Sequence, residues 1–162
     1  MTGRPWLSLL VLVPLCGAPV AQPSMNDVVV HQRGVSHHIP GAGADSITAW
    51  ARRALDGPVS PMQLLVGPDD VAWARAGTLA VEVRFGPPHA LRSLGAQVAH
   101  VLVPLGPEGQ QRFGAGAVAL FWGGDARSIT GLLAVHDPAL LAEVQRLAAA
   151  AADKAPARPG GS

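Results

Sequence analysis

The chain has 162 residues, the length of one ordinary domain, and can bury a core without support from metal ions or disulfides. Its formal net charge is +1 and it has no basic block, which excludes the electrostatic footprint of a protein that binds nucleic acid or an anionic membrane surface. The chain has a single cysteine, Cys16, which excludes an intramolecular disulfide. Its abundance of Ala, Gly, Pro, Val and Arg resembles the coding bias of a GC-rich bacterial genome.

Residues 1–21 have the pattern of a secretory signal peptide. A short start containing Arg4 precedes a mostly apolar run of ten residues, and a small-residue segment ends at Ala21. The apolar run is shorter than the roughly 20 residues that span a bilayer, so we expect cleavage after Ala21 and no transmembrane segment in the mature chain. Two alternatives stay open: Cys16 as the lipidated cysteine of a lipoprotein, and Met25 as the start of a cytosolic chain.

The first part of the predicted domain contains weak strand signals and two helix signals. The valines at 28–30 are typical of a strand, and a second short strand is predicted over 62–66. Apolar residues at helical spacing predict a helix over 45–55 with Asp45 as its N-cap, and a shorter helix is predicted over 69–76.

Four segments in the centre of the chain are typical of β-strands. They lie near 78–85, 98–103, 117–122 and 128–135. The first alternates between apolar and polar residues, which predicts that Glu82 lies on a solvated face. The second and third segments have apolar residues at both odd and even positions, which predicts strands that are covered on both faces of the sheet. Residues 87–95 are predicted to be a connection.

The last helix has the clearest boundaries. Asp137 is a good N-cap, Pro138 suits a first helical turn, and an apolar stripe runs through Leu141 and Val144. From residue 153 the chain is rich in Pro and Gly, and we expect a disordered tail over 153–162.

These signals predict one α+β domain over 26–152. We expect a mainly antiparallel sheet of about four strands, with two main helices at 45–55 and 138–151 packed on it.

Six histidines are the residues with metal-ligand chemistry in this chain: His31, His37, His38, His89, His100 and His136. Their spacing matches neither HExxH nor a zinc-finger pattern. No metal site and no cofactor is therefore predicted, and we expect His100 to be a strand residue with a hydrogen-bonded ring.

Motifs for nucleophilic catalysis and for phosphate binding are missing. No serine lies in Gly-x-Ser-x-Gly and no Ser-x-x-Lys occurs. The glycine-rich segment 41–46 contains Asp45 where a phosphate would sit, so it does not predict a phosphate loop. The missing motifs favour a protein that is not an enzyme.

Trp122 is the candidate binding residue, because it lies at a strand end beside a Gly-Gly turn, whereas Trp50 and Trp73 have the spacing of core anchors. We expect an exported, periplasmic or secreted protein that acts as a non-catalytic binding or interaction domain. Its partner would be another envelope protein or a small apolar ligand.

The alternatives are a hydrolase with a site assembled from separate loops and a histidine-based metal carrier. A cluster of Ser, His and Asp around one pocket would favour the hydrolase, and three converging histidine rings would favour the carrier. An apolar cleft without acids, or a flat apolar patch, would favour binding.

Overall fold

A computed structural model describes residues 26–62, 65–125 and 127–154. The strands in these ranges are β1 (Asp27–Gln32), β2 (Val35–His38), β3 (Ser60–Met62), β4 (Leu79–Leu91), β5 (Ala96–Pro104), β6 (Ala117–Gly123) and β7 (Gly131–His136). The helices are α1 (Gly41–Asp56), α2 (Pro68–Ala76), α3 (Pro107–Phe113) and α4 (Pro138–Lys154). The predicted signal peptide, Cys16, Met25 and residues 155–162 of the predicted tail lie outside the described residues. The first two residues of that predicted tail, 153 and 154, belong to α4.

Each described helix falls short of the length and apolar character that a bilayer crossing requires.

All described strands belong to one antiparallel sheet in the order β2-β1-β4-β5-β6-β7-β3. The protein is therefore α+β, but the prediction of about four strands is wrong, because the sheet has seven strands within the described residues. The four predicted strands form its centre as consecutive neighbours. Of the three further strands, β2 and β3 lie at the edges and have only four and three residues, whereas β1 contains the valines at 28–30 that gave a strand signal.

The two edge strands, β2 and β3, are consistent with their local sequences. Arg33 and Gly34 both have positive φ, at 51° and 79°, and this tight turn folds β2 back onto β1. β3 is an edge strand that contains Pro61, and an edge position tolerates a residue without an N–H.

β4 is longer than predicted. It continues into the segment 87–95, which was predicted to be a connection, and ends at Leu91. Its pairing with β5 shifts register between Arg84 and His89, and Pro87 and Pro88 lie inside this irregularity, where no ladder N–H is required.

The α1/α4 face of the sheet carries the larger apolar cluster. Side chains from both helices pack on strand residues that include Val30, Val83, Val101, Leu120 and Leu133. The opposite face carries a smaller apolar cluster beside α2 and α3, formed by Ala74, Ala80, Leu102, Ala119, Phe121 and Leu132. The sheet is therefore covered on both sides, as the apolar runs of β5 and β6 predicted.

Of the two predicted N-caps, one is wrong and one is correct. α1 begins at Gly41 after Pro40, so the prediction of Asp45 as its N-cap is wrong, and Asp45 is exposed. Asp137 does cap α4, because its Oδ1 accepts the N–H groups of Ala139 at 2.9 Å and Leu140 at 3.0 Å.

Asp137→Ala should lower the free energy of unfolding by about 1 kcal/mol, because two N–H groups of the first turn lose their acceptor. Leu141→Ala should cost about 2 to 5 kcal/mol, since Leu141 is buried against the α1/α4 face. Urea unfolding followed by circular dichroism measures both changes.

Asp45→Ala is the matched control, since this exposed aspartate caps nothing and its loss should change the unfolding free energy by less than about 0.5 kcal/mol. Equal effects of Asp45→Ala and Asp137→Ala would contradict the assigned cap.

Candidate functional site

Glu82 lies buried at the centre of the opposite face, with only 2% of its surface exposed. The alternation along β4 directs Val81 and Val83 to the α1/α4 face and Glu82 to the other side. β1 and β5 flank β4 at this level, where Val29 and Leu102 lie opposite Glu82 in the ladders. The prediction that Glu82 lies on a solvated face is therefore wrong.

Two histidines from the flanking strands contact this carboxylate. His31 of β1 places Nε2 3.1 Å from Glu82 Oε2, and His100 of β5 places Nε2 2.9 Å from Oε1. Each histidine is two residues along its strand from the position directly opposite Glu82. Such diagonal neighbours on one face are within reach of long side chains. The expectation of a hydrogen-bonded His100 ring is confirmed.

Two arginines complete the surroundings of the carboxylate. Arg75 of α2 donates Nε to Oε2 at 2.9 Å and Nη2 to Oε1 at 3.1 Å, so it grips both oxygens of Glu82. Arg84, two residues along β4, donates Nη2 to Oε1 at 2.9 Å and Nη1 to Asp27 at 3.3 Å. We call His31, Arg75, Glu82, Arg84 and His100 the charge cluster.

The hydrogen bonds of the charge cluster keep Glu82 ionised. Burial alone raises the pKa of Glu82, but the hydrogen bonds from His100, His31 and Arg75 outweigh burial and hold the pKa far below its ordinary value of about 4.5. The positive charge of Arg75 acts in the same direction. A buried carboxylate with this many donors is a stable anion rather than a proton donor.

The ionised carboxylate orients the two histidine rings. A carboxylate can only accept, so His31 and His100 both donate through Nε2. Nδ1 of His31 lies 2.9 Å from the hydroxyl oxygen of Ser36, so both ring nitrogens of His31 have a hydrogen-bond partner.

His100 differs from His31, because its Nδ1 is buried and has no hydrogen-bond partner in the described part of the chain. Buried polar atoms in folded proteins are nearly always bonded, and exceptions concentrate at binding and catalytic sites or mark a bound water. Nδ1 of His100 is therefore one of the exceptions within the described residues.

His100 lies at the wall of a cleft of about 390 Å³ between α2 and the segment that precedes β7. The other lining residues are Val66, Gly67, Pro68, Val71, Ala72, Arg75, Arg127, Ser128 and Ile129. Among the described residues of this lining, the two arginines are charged and none is an acid. We call this space the cleft.

The wall of the cleft opposite α2 is held by Asp125. Its Oδ1 accepts the backbone N–H groups of Arg127 and Ser128, each at 2.7 Å. These two hydrogen bonds and one with the Ser128 side chain hold the pKa of Asp125 below its ordinary value. Gly123 is required beneath this turn, because a Cβ there would overlap the carbonyl oxygen of Ser128.

Three other grooves lack a buried ionisable group at their walls. One of about 590 Å³ lies near Asp27 and His38, and one of about 540 Å³ lies between α1 and α4 around Leu147. A third, of about 330 Å³, lies near Arg92. The cleft is smaller than two of them, but it alone among the four adjoins the charge cluster, and we regard it as the candidate site for this reason.

Trp122 lies away from the cleft. It is half-buried on the α1/α4 face, where it packs against the larger apolar cluster, and its indole ring lies over Gly131. Its role as a binding residue stays a prediction.

The remaining histidines are dispersed. His38 contacts Asp27, His89 contacts Arg52 and Asp56, and His136 is exposed at the end of β7. Over 26–62, 65–125 and 127–154, no three or more His, Cys, Asp or Glu side chains are arranged to hold a metal ion.

No family model matches this sequence, and comparison with curated proteins and with solved structures finds no significant similarity. The functional argument therefore depends on the chemistry of the cleft and of the charge cluster.

Glu82→Gln should lower the free energy of unfolding on the order of 3 kcal/mol at pH 7, because it leaves buried donors without their anionic acceptor. Since the pKa of Glu82 is depressed in the fold, its stabilisation is present above about pH 4.5 and is lost as the pH falls further. The difference between the wild type and the variant in urea unfolding should therefore shrink between pH 5 and pH 3.

Glu143→Gln is the control, since the pair of Glu143 with Arg53 is largely exposed and should contribute less than about 1 kcal/mol. A Glu82→Gln effect as small as this control would contradict the buried, ionised state of Glu82.

Proposed function

We propose that this protein is a non-catalytic binding domain and that the cleft is its ligand site. One observation carries the proposal: Arg75 and Arg127, together with His100 and Ser128, line a partly apolar cleft in which none of the described lining residues is an acid. Small-molecule sites usually combine apolar walls with a few such groups, which fix the ligand's orientation.

The charge cluster supports a binding role because it makes the site rigid. Arg75 grips Glu82 through two nitrogens, and His100 is held by Nε2, so both side chains are positioned before a ligand arrives. Preorganised groups lose little conformational freedom when they bind, and this favours affinity.

The hydrolase alternative has weaker support. His100 and Ser128 both line the cleft, but no hydrogen bond joins them in the described part of the chain, and the Ser128 side chain interacts with Asp125 instead. A serine nucleophile needs a base within hydrogen-bonding reach. We therefore place the hydrolase second.

Export is part of the proposal, supported by the signal-like pattern of residues 1–21. Mass spectrometry of the protein from its native host should find an N-terminus at Gln22. A mature form that retains Met1 would contradict export, and a lipidated Cys16 would replace it with the lipoprotein alternative.

Ala72→Phe tests the ligand site, because Ala72 is exposed on α2 and lines the cleft, so the larger ring fills the cleft without disturbing the core. We expect at least one compound from a panel of small acids, phosphate esters, alcohols and sugars to bind the wild type in ligand-observed NMR. Ala72→Phe should abolish that binding.

Ala76→Phe is the matched control: Ala76 is exposed one turn further along α2 and is not part of the cleft lining, so binding should persist. A panel that never binds, or binding that Ala72→Phe leaves intact, would contradict the proposal. Ester hydrolysis that Ala72→Phe removes would favour the hydrolase instead.

A further inference from the structure

A groove between α1 and α4 differs from the cleft in its walls and in its place in the fold. The two helices run antiparallel, and Trp50 in the second half of α1 donates its indole N–H to the carbonyl of Leu140 at the start of α4. The groove lies at the other end of this helix pair, where α1 begins and α4 ends. We call this space of about 540 Å³ the helix groove; α1 lines it with Ala42, Gly43 and Ser46, and α4 with Leu147, Ala150 and Ala151.

Small residues keep the helix groove open. Ala42, Gly43 and Ala150 carry at most a methyl group, so they leave space between the two helices. Leu147 and Ala151 belong to or pack against the larger apolar cluster, so the inner wall of the groove is apolar. A space of this volume with mostly apolar walls has the size and the character of a small-molecule site.

The α4 wall of the helix groove has a cation at each end. Arg146 and Lys154 both line the groove, and they are eight positions apart on α4, which is about 12 Å along the helix axis. Leu147, Ala150 and Ala151 lie between them. Both cations are exposed, and neither forms an ion pair with a described residue, whereas four arginines in the described part of the chain pair with carboxylates.

No acid among the described residues lines the helix groove. Asp45 of α1 belongs to the lining of the neighbouring groove near Asp27, and Asp153 of α4 is exposed outside both linings. The charges of the helix groove are therefore complementary to a ligand that has an anionic group at each end and an apolar chain between them.

We propose that the helix groove binds a free aliphatic dicarboxylate and is a second ligand site of this protein. The two carboxylates contact Arg146 and Lys154, and the methylene chain lies along Leu147, Ala150 and Ala151. Because both cations are exposed, each ion pair is weak, and the apolar contact supplies most of the affinity. The helix groove and the cleft lie on opposite sides of the sheet, so this proposal does not depend on the proposed function.

Four probes separate the charges from the chain: decanedioate, its monomethyl ester, butanedioate and decanediamine. Titrations of the ¹⁵N-labelled protein at pH 7, followed at the amides of Gly43, Leu147 and Ala150, give the affinities. Decanedioate should bind about twofold to fivefold more tightly than its monomethyl ester, the equivalent of one exposed ion pair. Butanedioate is too short to span the groove, and decanediamine is repelled by both cations, so each should bind at least about tenfold more weakly than decanedioate.

Charge variants assign the two ends of the ligand. Arg146→Gln and Lys154→Gln should each lower the affinity for decanedioate about twofold to fivefold, and the double variant should bind decanedioate and its monomethyl ester alike. Arg92→Gln is the control, because Arg92 is exposed and lies outside the lining of the helix groove.

Ala150→Phe tests the position of the site, because Ala150 is exposed on α4 and lines the helix groove, so the ring fills the groove without disturbing the core. It should abolish the binding of decanedioate. Ala149→Phe is the matched control at the neighbouring position, which is exposed and outside the lining, and it should retain binding. Ala72→Phe, which fills the cleft, should also retain it, so a failure here and a failure of the proposed function are distinguishable.

Equal affinities for decanedioate and its monomethyl ester would overturn the requirement for two carboxylates, and tighter binding of decanediamine would overturn the assigned charges. Absence of binding, or binding that Ala150→Phe leaves intact, would overturn the site itself. Sedimentation equilibrium tests the other occupant of an apolar groove. A dimer of the wild type that Ala150→Phe dissociates would assign the helix groove to a second copy of the chain and would also overturn the proposal.

Discussion

Burying the carboxylate of Glu82 inside a sheet is the constraint on which this structure depends. Removing such an ion from water costs several kcal/mol, and only well-placed charged and polar partners can offset that cost. Here the carboxylate accepts five hydrogen bonds from four side chains. They come from β1, β4, β5 and α2. The charge cluster therefore connects three neighbouring strands to a helix that crosses over them.

The same constraint gives the cleft its chemistry. Arg75 must reach down from α2 to pair with Glu82, and this brings a guanidinium group to one wall of the cleft. His100 must turn Nε2 toward Glu82, and its buried Nδ1 has no partner among the described residues. An apolar replacement of the cluster would fill the same space without the desolvation cost. Such a replacement would remove the two groups, Arg75 and His100, that belong to the proposed ligand site.

Much of the fold could be predicted from local sequence patterns. Among the central strands, β4 alternates and β5 and β6 are continuous apolar runs, and both patterns are typical of strands. Asp137 and Pro138 define the start of α4 through side-chain chemistry within a few residues. The edge strands were harder to predict. β2 and β3 have four and three residues, and they are strands only because a longer neighbour supplies their hydrogen bonds.

The candidate site could not be predicted, because it depends on which strands become neighbours. Alternation in β4 correctly separated Glu82 from Val81 and Val83, but a polar residue on a strand indicates solvent unless its surroundings are known. One signal was present. His100 stands in an otherwise apolar run, and a histidine buried there needs a partner, for which Glu82 is the nearest acid in a predicted strand. Arg75 gave no such signal, because its contact depends on how α2 packs.

The most direct test of this account is the titration of the side-chain carboxyl of Glu82. The chain contains three glutamates, Glu82, Glu108 and Glu143, so ¹³C labelling of the glutamate carboxyls gives few signals to assign. The signal of Glu82 should keep the chemical shift of an ionised carboxylate from neutral pH down to the pH at which the protein unfolds. Protonation of Glu82 at its ordinary pKa or above, while the protein remains folded, would contradict the account.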